Sequence, residues 1–86
     1  MNYTVVVFSV RSDTMKFYNK IKNYGLYCSI INTPRSLASS CGVSVKIDKR
    51  LVHYTMGIIK ALGLFSFKGV FEINYFKGQE IINKLI

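Results

Sequence analysis

The chain is short of the side chains on which much protein chemistry is built. Among its 86 residues are two cysteines, one histidine and four acidic residues. Three Cys and His side chains cannot supply the four bonds of a structural zinc site. Two cysteines are too few for a disulfide framework. A Ser-His-Asp or Cys-His catalytic set would have to use His53, the one imidazole. The carboxylates are scattered and stand at no standard metal-ligand spacing, so neither a metal nor another cofactor is expected. Long apolar runs are missing as well. The longest uncharged stretch, Asn23 to Pro34, holds Asn, Gly, Ser and Pro and falls well short of the ~20 apolar residues of a membrane span. Tyr3 to Val10 is apolar, but no basic region precedes it and no small-residue cleavage site follows, so it does not read as a secretory leader. These absences favour a cytoplasmic protein with both thiols reduced and no membrane association.

What is present is hydrophobic mass and positive charge. Hydrophobic residues make up 50% of the chain, a globular composition, and the length suits one domain spanning residues 1–86. Lys plus Arg number 12 against 4 Asp plus Glu, a formal net charge of +8. The lysines are spread through every segment, as solvated helix faces would place them. The same charge would attract an acidic partner, tRNA or another nucleic acid.

Tyr3 to Val10 (YTVVVFSV) is rich in β-branched and aromatic residues and reads as a buried strand. Ser12 and Asp13 are helix N-cap types, and Gly25 suits a helix C′ position, so a first helix is expected from Asp13 to Tyr24. Leu26 to Thr33 reads as a second strand with Leu26, Cys28 and Ile30 on one face. Pro34 to Gly42 is small, polar and uncharged except for Arg35, which is loop chemistry. Val43, Val45 and Ile47 alternate with polar residues as in a half-buried strand. Asp48 can cap a second helix, whose Leu51, Tyr54, Thr55, Ile58, Ala61 and Leu62 recur at helical spacing before Gly63. Phe67 to Tyr75 reads as a fourth strand. Ile81, Ile82, Leu85 and Ile86 suggest a short C-terminal helix over Gln79 to Ile86.

The order strand, helix, strand, strand, helix, strand predicts an α+β, ferredoxin-like βαββαβ domain: one four-stranded antiparallel sheet with two helices on one face. The other face has no evident cover. Tyr3, Phe8, Tyr27, Phe71, Tyr75 and Phe76 supply aromatic surface to line it, and a homodimer through that face or an edge is compatible with this pattern.

The segment richest in chemistry is Thr33 to Gly42 (TPRSLASSCG). A thiol reacts as thiolate, so a working Cys41 needs groups that stabilise negative charge on sulfur. Arg35 is a fixed cation. Ser36, Ser39 and Ser40 offer hydroxyl donors, and backbone N–H groups in a Gly-containing turn can form an anion-binding nest. Gly42 leaves the sulfur uncrowded and is free to take positive φ. Pro34 fixes the exit from the second strand. Against this stands the ordinary role of a cysteine beside glycine at a strand start, which is a small buried core residue. Cys28, on the same strand face as Leu26 and Ile30, is assigned to the core, with a resolving thiol for Cys41 as its rival role. His53 is assigned to a partly exposed position near the start of the second helix, with a catalytic partnership with Cys41 as its rival role.

The segment and its place between the second and third strands resemble the selenium/sulfur carrier-like family of small bacterial and archaeal proteins. The hallmark of that family is a T-P-R-S-x-S-S-S-C-G-like loop. Here Thr33, Pro34, Arg35, Ser36, Ser39, Ser40, Cys41 and Gly42 stand in it, with Ala38 where serine is common. Phe67 to Ile73 also resembles the family's end strand. The resemblance implies a carrier rather than a self-sufficient enzyme. Cys41 would accept sulfane sulfur or selenium from a donor such as a cysteine desulfurase, hold it as a persulfide or selenopersulfide, and pass it to an acceptor protein. Arg35, Ser36, Ser39, Ser40 and Gly42 would support the anion, and Thr33 and Pro34 would shape the loop. The Cys-Pro-x-Pro motif of another class of sulfur carriers is absent, so any link with them is functional analogy.

Two other classes stay open. Lys68 to Tyr75 faintly resembles the RNA-binding K-G-F-G-F-V-x-F pattern, and RNA-recognition domains share the expected topology. That pattern belongs on a third strand, however, and Val70 and Glu72 stand where stacking aromatics and a small residue are wanted. Alternatively, the loop would bind an anion through Arg35 and the serines, with Cys41 a bystander.

Overall fold

The structure is a computed structural model that describes residues 2–37 and 41–86. In chain order the elements are β1 (Tyr3–Phe8), α1 (Arg11–Asn23), β2 (Cys28–Asn32), β3 (Val43–Ile47), a 3-10 turn (Lys49–Leu51), α2 (Val52–Leu62), β4 (Phe67–Phe76) and β5 (Gln79–Lys84). The strands form one antiparallel sheet in the order β2-β3-β1-β4-β5.

Sequence chemistry accounts for most boundaries. α1 ends in a Schellman turn: Gly25 takes φ 74°, its N–H donates to Lys22 O, and the Leu26 N–H donates to Ile21 O. Gly63, at φ 66°, ends α2 in the same way, with the Leu64 N–H on Ile59 O. Asp48 caps as expected, but it caps the 3-10 turn that leads into α2, by accepting from the Arg50 N–H. The start of α1 differs from expectation. Val10 stands at its N-cap with no side-chain cap, because Asp13 is turned instead toward Ser66 in the α2–β4 connection.

β1 is central and buried on both faces. Its Val6 and Phe8 face the helices and join Phe17 and Ile21 of α1, Ile59 of α2, and Val45, Ile47 and Val70 in one core. The Phe8 ring lies 5.5 Å from Phe17 and 5.9 Å from Phe67, centroid to centroid. Each such side chain stabilises the fold by roughly 1.5–3 kcal/mol through burial alone.

Two expectations are corrected. The sheet has five strands, not four, so the four-stranded ferredoxin-like arrangement is not matched as expected. The fifth strand is the segment read as a C-terminal helix. Gln79–Lys84 pairs with β4 from Phe76↔Gln79 to Phe71↔Lys84. The isoleucine spacing suited a helix, but Lys77 (φ 51°) and Gly78 (φ 77°) form the two-residue turn with both φ positive that closes a hairpin. Once that turn forms, Gln79 onward is delivered to the open edge of β4 and satisfies its backbone groups there.

The face opposite the helices is also covered at its centre. Val5, Val7 and Ile73 are buried there, packed by Tyr3, Ile31, Leu37, Phe71 and Ile82. Tyr3 and Phe71 do line this face, whereas Phe8 points to the helices. Lys68 bulges out of β4, since Val7 pairs with Gly69 and Phe8 with Phe67. A Cβ on Gly69 (φ 155°) would come within 2.9 Å of the Phe71 ring and 3.1 Å of Ile86 O, so this position requires glycine. Among the described residues, no helix is long and apolar enough to cross a membrane.

Candidate functional site: the β2–β3 connection and the head of α1

The neck of the connection is closed by Thr33. Its N–H donates to Gly42 O at 3.0 Å, its hydroxyl donates to Cys41 O at 3.2 Å, and the same hydroxyl lies 2.7 Å from Ser44 Oγ. A threonine can do this because its short side chain reaches the facing strand while its backbone continues the ladder. Beyond the neck, the Leu37 N–H donates to Pro34 O at 2.9 Å, closing a tight turn over Arg35 and Ser36.

The two arms of the connection then go to different places. The outgoing arm leans over the sheet face opposite the helices, where Leu37 packs against the Val5–Val7–Ile73 cluster. Ser36 Oγ donates to Glu80 Oε1 of β5 at 2.7 Å, and the Tyr75 hydroxyl donates to Glu80 Oε2 at 3.1 Å. Arg35 is exposed. The returning arm brings Cys41 to the helix side. The residue is 5% exposed; its thiol donates to Val43 O at 3.4 Å and lies 3.6 Å from Thr14 Oγ1 in the first turn of α1. Thr14 Oγ1 also lies 3.4 Å from Val10 O, as its donor. Gly42 is exposed, and among the described residues an added Cβ there would meet nothing within 4 Å. Gly42 is not among the positive-φ glycines; its small size, not an unusual backbone, is what it contributes.

The residues expected to act together are therefore only partly gathered. Thr33 and Gly42 adjoin Cys41. Ser36 is committed to a carboxylate of β5, and Arg35 stands on the outgoing arm. Ala38, Ser39 and Ser40 lie outside the described residues. Thr14 was not anticipated, because nothing local in the sequence ties it to a residue 27 positions later.

The head of α1 carries the electrostatics. A helix N-terminus holds a partial positive charge that favours an anion such as thiolate. The carboxylate of Asp13, the residue before Thr14, is buried and held by the α2–β4 connection: its Oδ2 accepts from the Ser66 N–H at 3.0 Å and the Ser66 hydroxyl at 2.7 Å. Cys28 is placed quite differently. It sits 3% exposed in the helix-side core, its thiol donating to Tyr18 O at 3.7 Å. Burial pushes its pKa up, against a smaller opposing effect of Lys22. His53 is exposed and lines a groove with the C-terminal half of α1. Among the described residues, no three His, Cys, Asp or Glu side chains gather as a metal ion would need.

Fold and site together define a small α+β protein that sets a cysteine, carried on a strand-to-strand loop, against the head of a helix. Residues 2–64 match the family described as "Putative Se/S carrier protein-like", and the chain belongs to that family. The match takes in β1 through α2 and the whole Thr33–Gly42 segment; β4 and β5, including the likeness read at Phe67–Ile73, lie beyond it. No curated protein and no solved structure matches the chain.

Proposed function

We propose that the protein carries sulfane sulfur or selenium on Cys41. The observation that supports this reading is the seat of Cys41 Sγ, beside the Thr14 hydroxyl at the head of α1, within a segment of family-typical sequence. In the transfer, Cys41 thiolate attacks the terminal sulfur of a donor persulfide. The donor's S–S bond breaks, the donor leaves as thiolate, and Cys41 is left as a persulfide anion. A second thiolate, on the acceptor, reverses the sequence. The proton that Cys41 shares with Val43 O is lost first. Thr14 Oγ1–H, otherwise held by Val10 O, is then in place to turn onto the sulfur. No resident general base is required, because donor and acceptor supply the proton traffic. Such exchange belongs in a reducing compartment, which fits a cytoplasmic setting.

The test is incubation of the reduced protein with a cysteine desulfurase and cysteine, followed by intact mass and peptide mapping. The expected product is a gain of about 32 Da on Cys41, one sulfur atom added to the thiolate. It is retained in Cys28→Ala and lost in Cys41→Ser. An adduct that persists in Cys41→Ser, or none with the unaltered chain, overturns the proposal. The RNA reading finds less support. Domains of that kind stack bases on exposed sheet aromatics, and here the centre of the sheet face is Val5, Val7 and Ile73 beneath Leu37.

A further inference from the structure

A second surface, remote from Cys41, is shaped to receive a ligand. α1 and α2 lie side by side on the sheet, and a groove of about 620 Å³ opens between the C-terminal half of α1 and the length of α2 from its N-cap, Leu51, to Ala61. That volume is within the ~300–1,000 Å³ of small-molecule sites. Its walls are apolar: Ile21 and Leu26 on one side, Leu51 and Ile58 on the other. α2 presents Gly57 to the groove, and an added Cβ there would meet nothing within 4 Å. A side chain at this position would therefore meet no barrier, and the glycine keeps the trough open.

The apolar rim is left in water. Tyr24 is 56% exposed, Leu26 40% and Tyr54 65%, all three lining the same groove. Large apolar side chains exposed singly are ordinary; here three of them gather around one concavity. The charge of the groove is one-sided. Its lining includes Lys20 and His53 and no carboxylate. The Lys20 ammonium is held 5.3 Å over the Tyr24 ring, a cation–π contact that keeps the charge at the rim. Thr14, beside Cys41, is six residues before Lys20, about 9 Å along the helix at 1.5 Å per residue, and neither Thr14 nor Cys41 lines the groove.

An apolar trough with one cationic end selects a ligand with an apolar body and one anionic end. We propose that the α1–α2 groove binds a single-chain amphiphile with a monoanionic head group, the chain lying on Ile21, Leu26, Leu51 and Ile58 and the head at Lys20. The site is independent of the carrier chemistry at Cys41.

The experiment uses decanoate, decan-1-ol and decylammonium as probes, each below its micelle concentration, by calorimetry and by amide chemical shifts of the whole chain. Saturable one-to-one binding of decanoate is expected, with shifts confined to Lys20–Leu26 and Leu51–Ala61. Decanol should bind several-fold more weakly and decylammonium more weakly still. Lys20→Gln should bring decanoate down to the level of decanol and leave decanol unchanged. Gly57→Leu should fill the trough and abolish both, while Cys41 alkylation proceeds at its ordinary rate, which shows that the variant is folded. Equal binding of the three probes, shifts scattered over the surface, or no saturable binding overturns the proposal. So does binding of an acidic amphipathic peptide with none of decanoate, which would assign the groove to a protein partner.

Discussion

The two cysteines are nearly equal in burial, and each thiol donates to a backbone carbonyl, but they sit in unlike places. Cys28 is 3% exposed and Cys41 5%. Cys28 belongs to the helix-side core, on a strand paired along its length with β3, and burial raises its pKa. Cys41 has a hydroxyl and a carbonyl as neighbours, and an exposed glycine follows it in the chain. Solvent exposure alone would class both as structural. What separates them is the seat: Cys28 packs within the helix-side core, whereas Cys41 stands two residues before β3 with the Thr14 hydroxyl beside it.

The largest effect that sharpens the contrast is in reactivity. Iodoacetamide under native conditions should label Cys41 at least about tenfold faster than Cys28, a difference of ~1.4 kcal/mol in the opening each requires. Equal rates by mass spectrometry would erase the distinction. Stability should invert the order. Cys28→Ala should cost about 1–2 kcal/mol in urea unfolding as a small cavity opens in the core, and Cys41→Ala distinctly less. The pH dependence has a definite sign. The Cys28 thiol has a raised folded pKa, so its contribution is complete below the ordinary thiol range and is lost as pH rises through the folded value. Urea stability should therefore fall at alkaline pH in the unaltered chain and fall less in Cys28→Ala.

Thr14→Val tests the polar seat alone. It removes the hydroxyl beside Cys41 and keeps the shape, so Cys41 labelling should change about threefold, on the scale of one neutral hydrogen bond, with Cys28 labelling unmoved. The smallest effect concerns a pair that makes no bond to either thiol and serves as a control, although Asp48 directly follows Ile47, the ladder partner of Cys28. Hydrogen bonds from the Arg50 side chain and backbone hold Asp48 down to about 2. Its contribution is present above the ordinary carboxylate value of ~3.9 and lost as pH falls through about 2. Arg50→Gln should return the carboxyl resonance toward ordinary titration without altering either thiol.

Local chemistry made most of the fold legible. The alternation of Val43, Val45 and Ile47, the helix-ending Gly25 and Gly63, and the cap at Asp48 each act within a few residues, and each is found at work. The failures are of two kinds. Asp13 has cap chemistry but finds its donors in Ser66, 53 residues on. The helical spacing of Ile81, Ile82, Leu85 and Ile86 lost to a hairpin whose signal was local, the Lys77–Gly78 turn that folds Gln79 onward back onto β4. The Thr33–Gly42 segment was legible as a loop with a cysteine. That its arms part, one to Glu80 and one to Thr14, depends on the fifth strand and on the seating of α1.

The bond from Ser36 to Glu80 has an evolutionary corollary. Ser36 lies within the residues that match the family, whereas Glu80 lies on β5, beyond the match. A lineage that rewrote only the hairpin would retune how tightly the outgoing arm is moored, and would do so without altering a single residue around the sulfur.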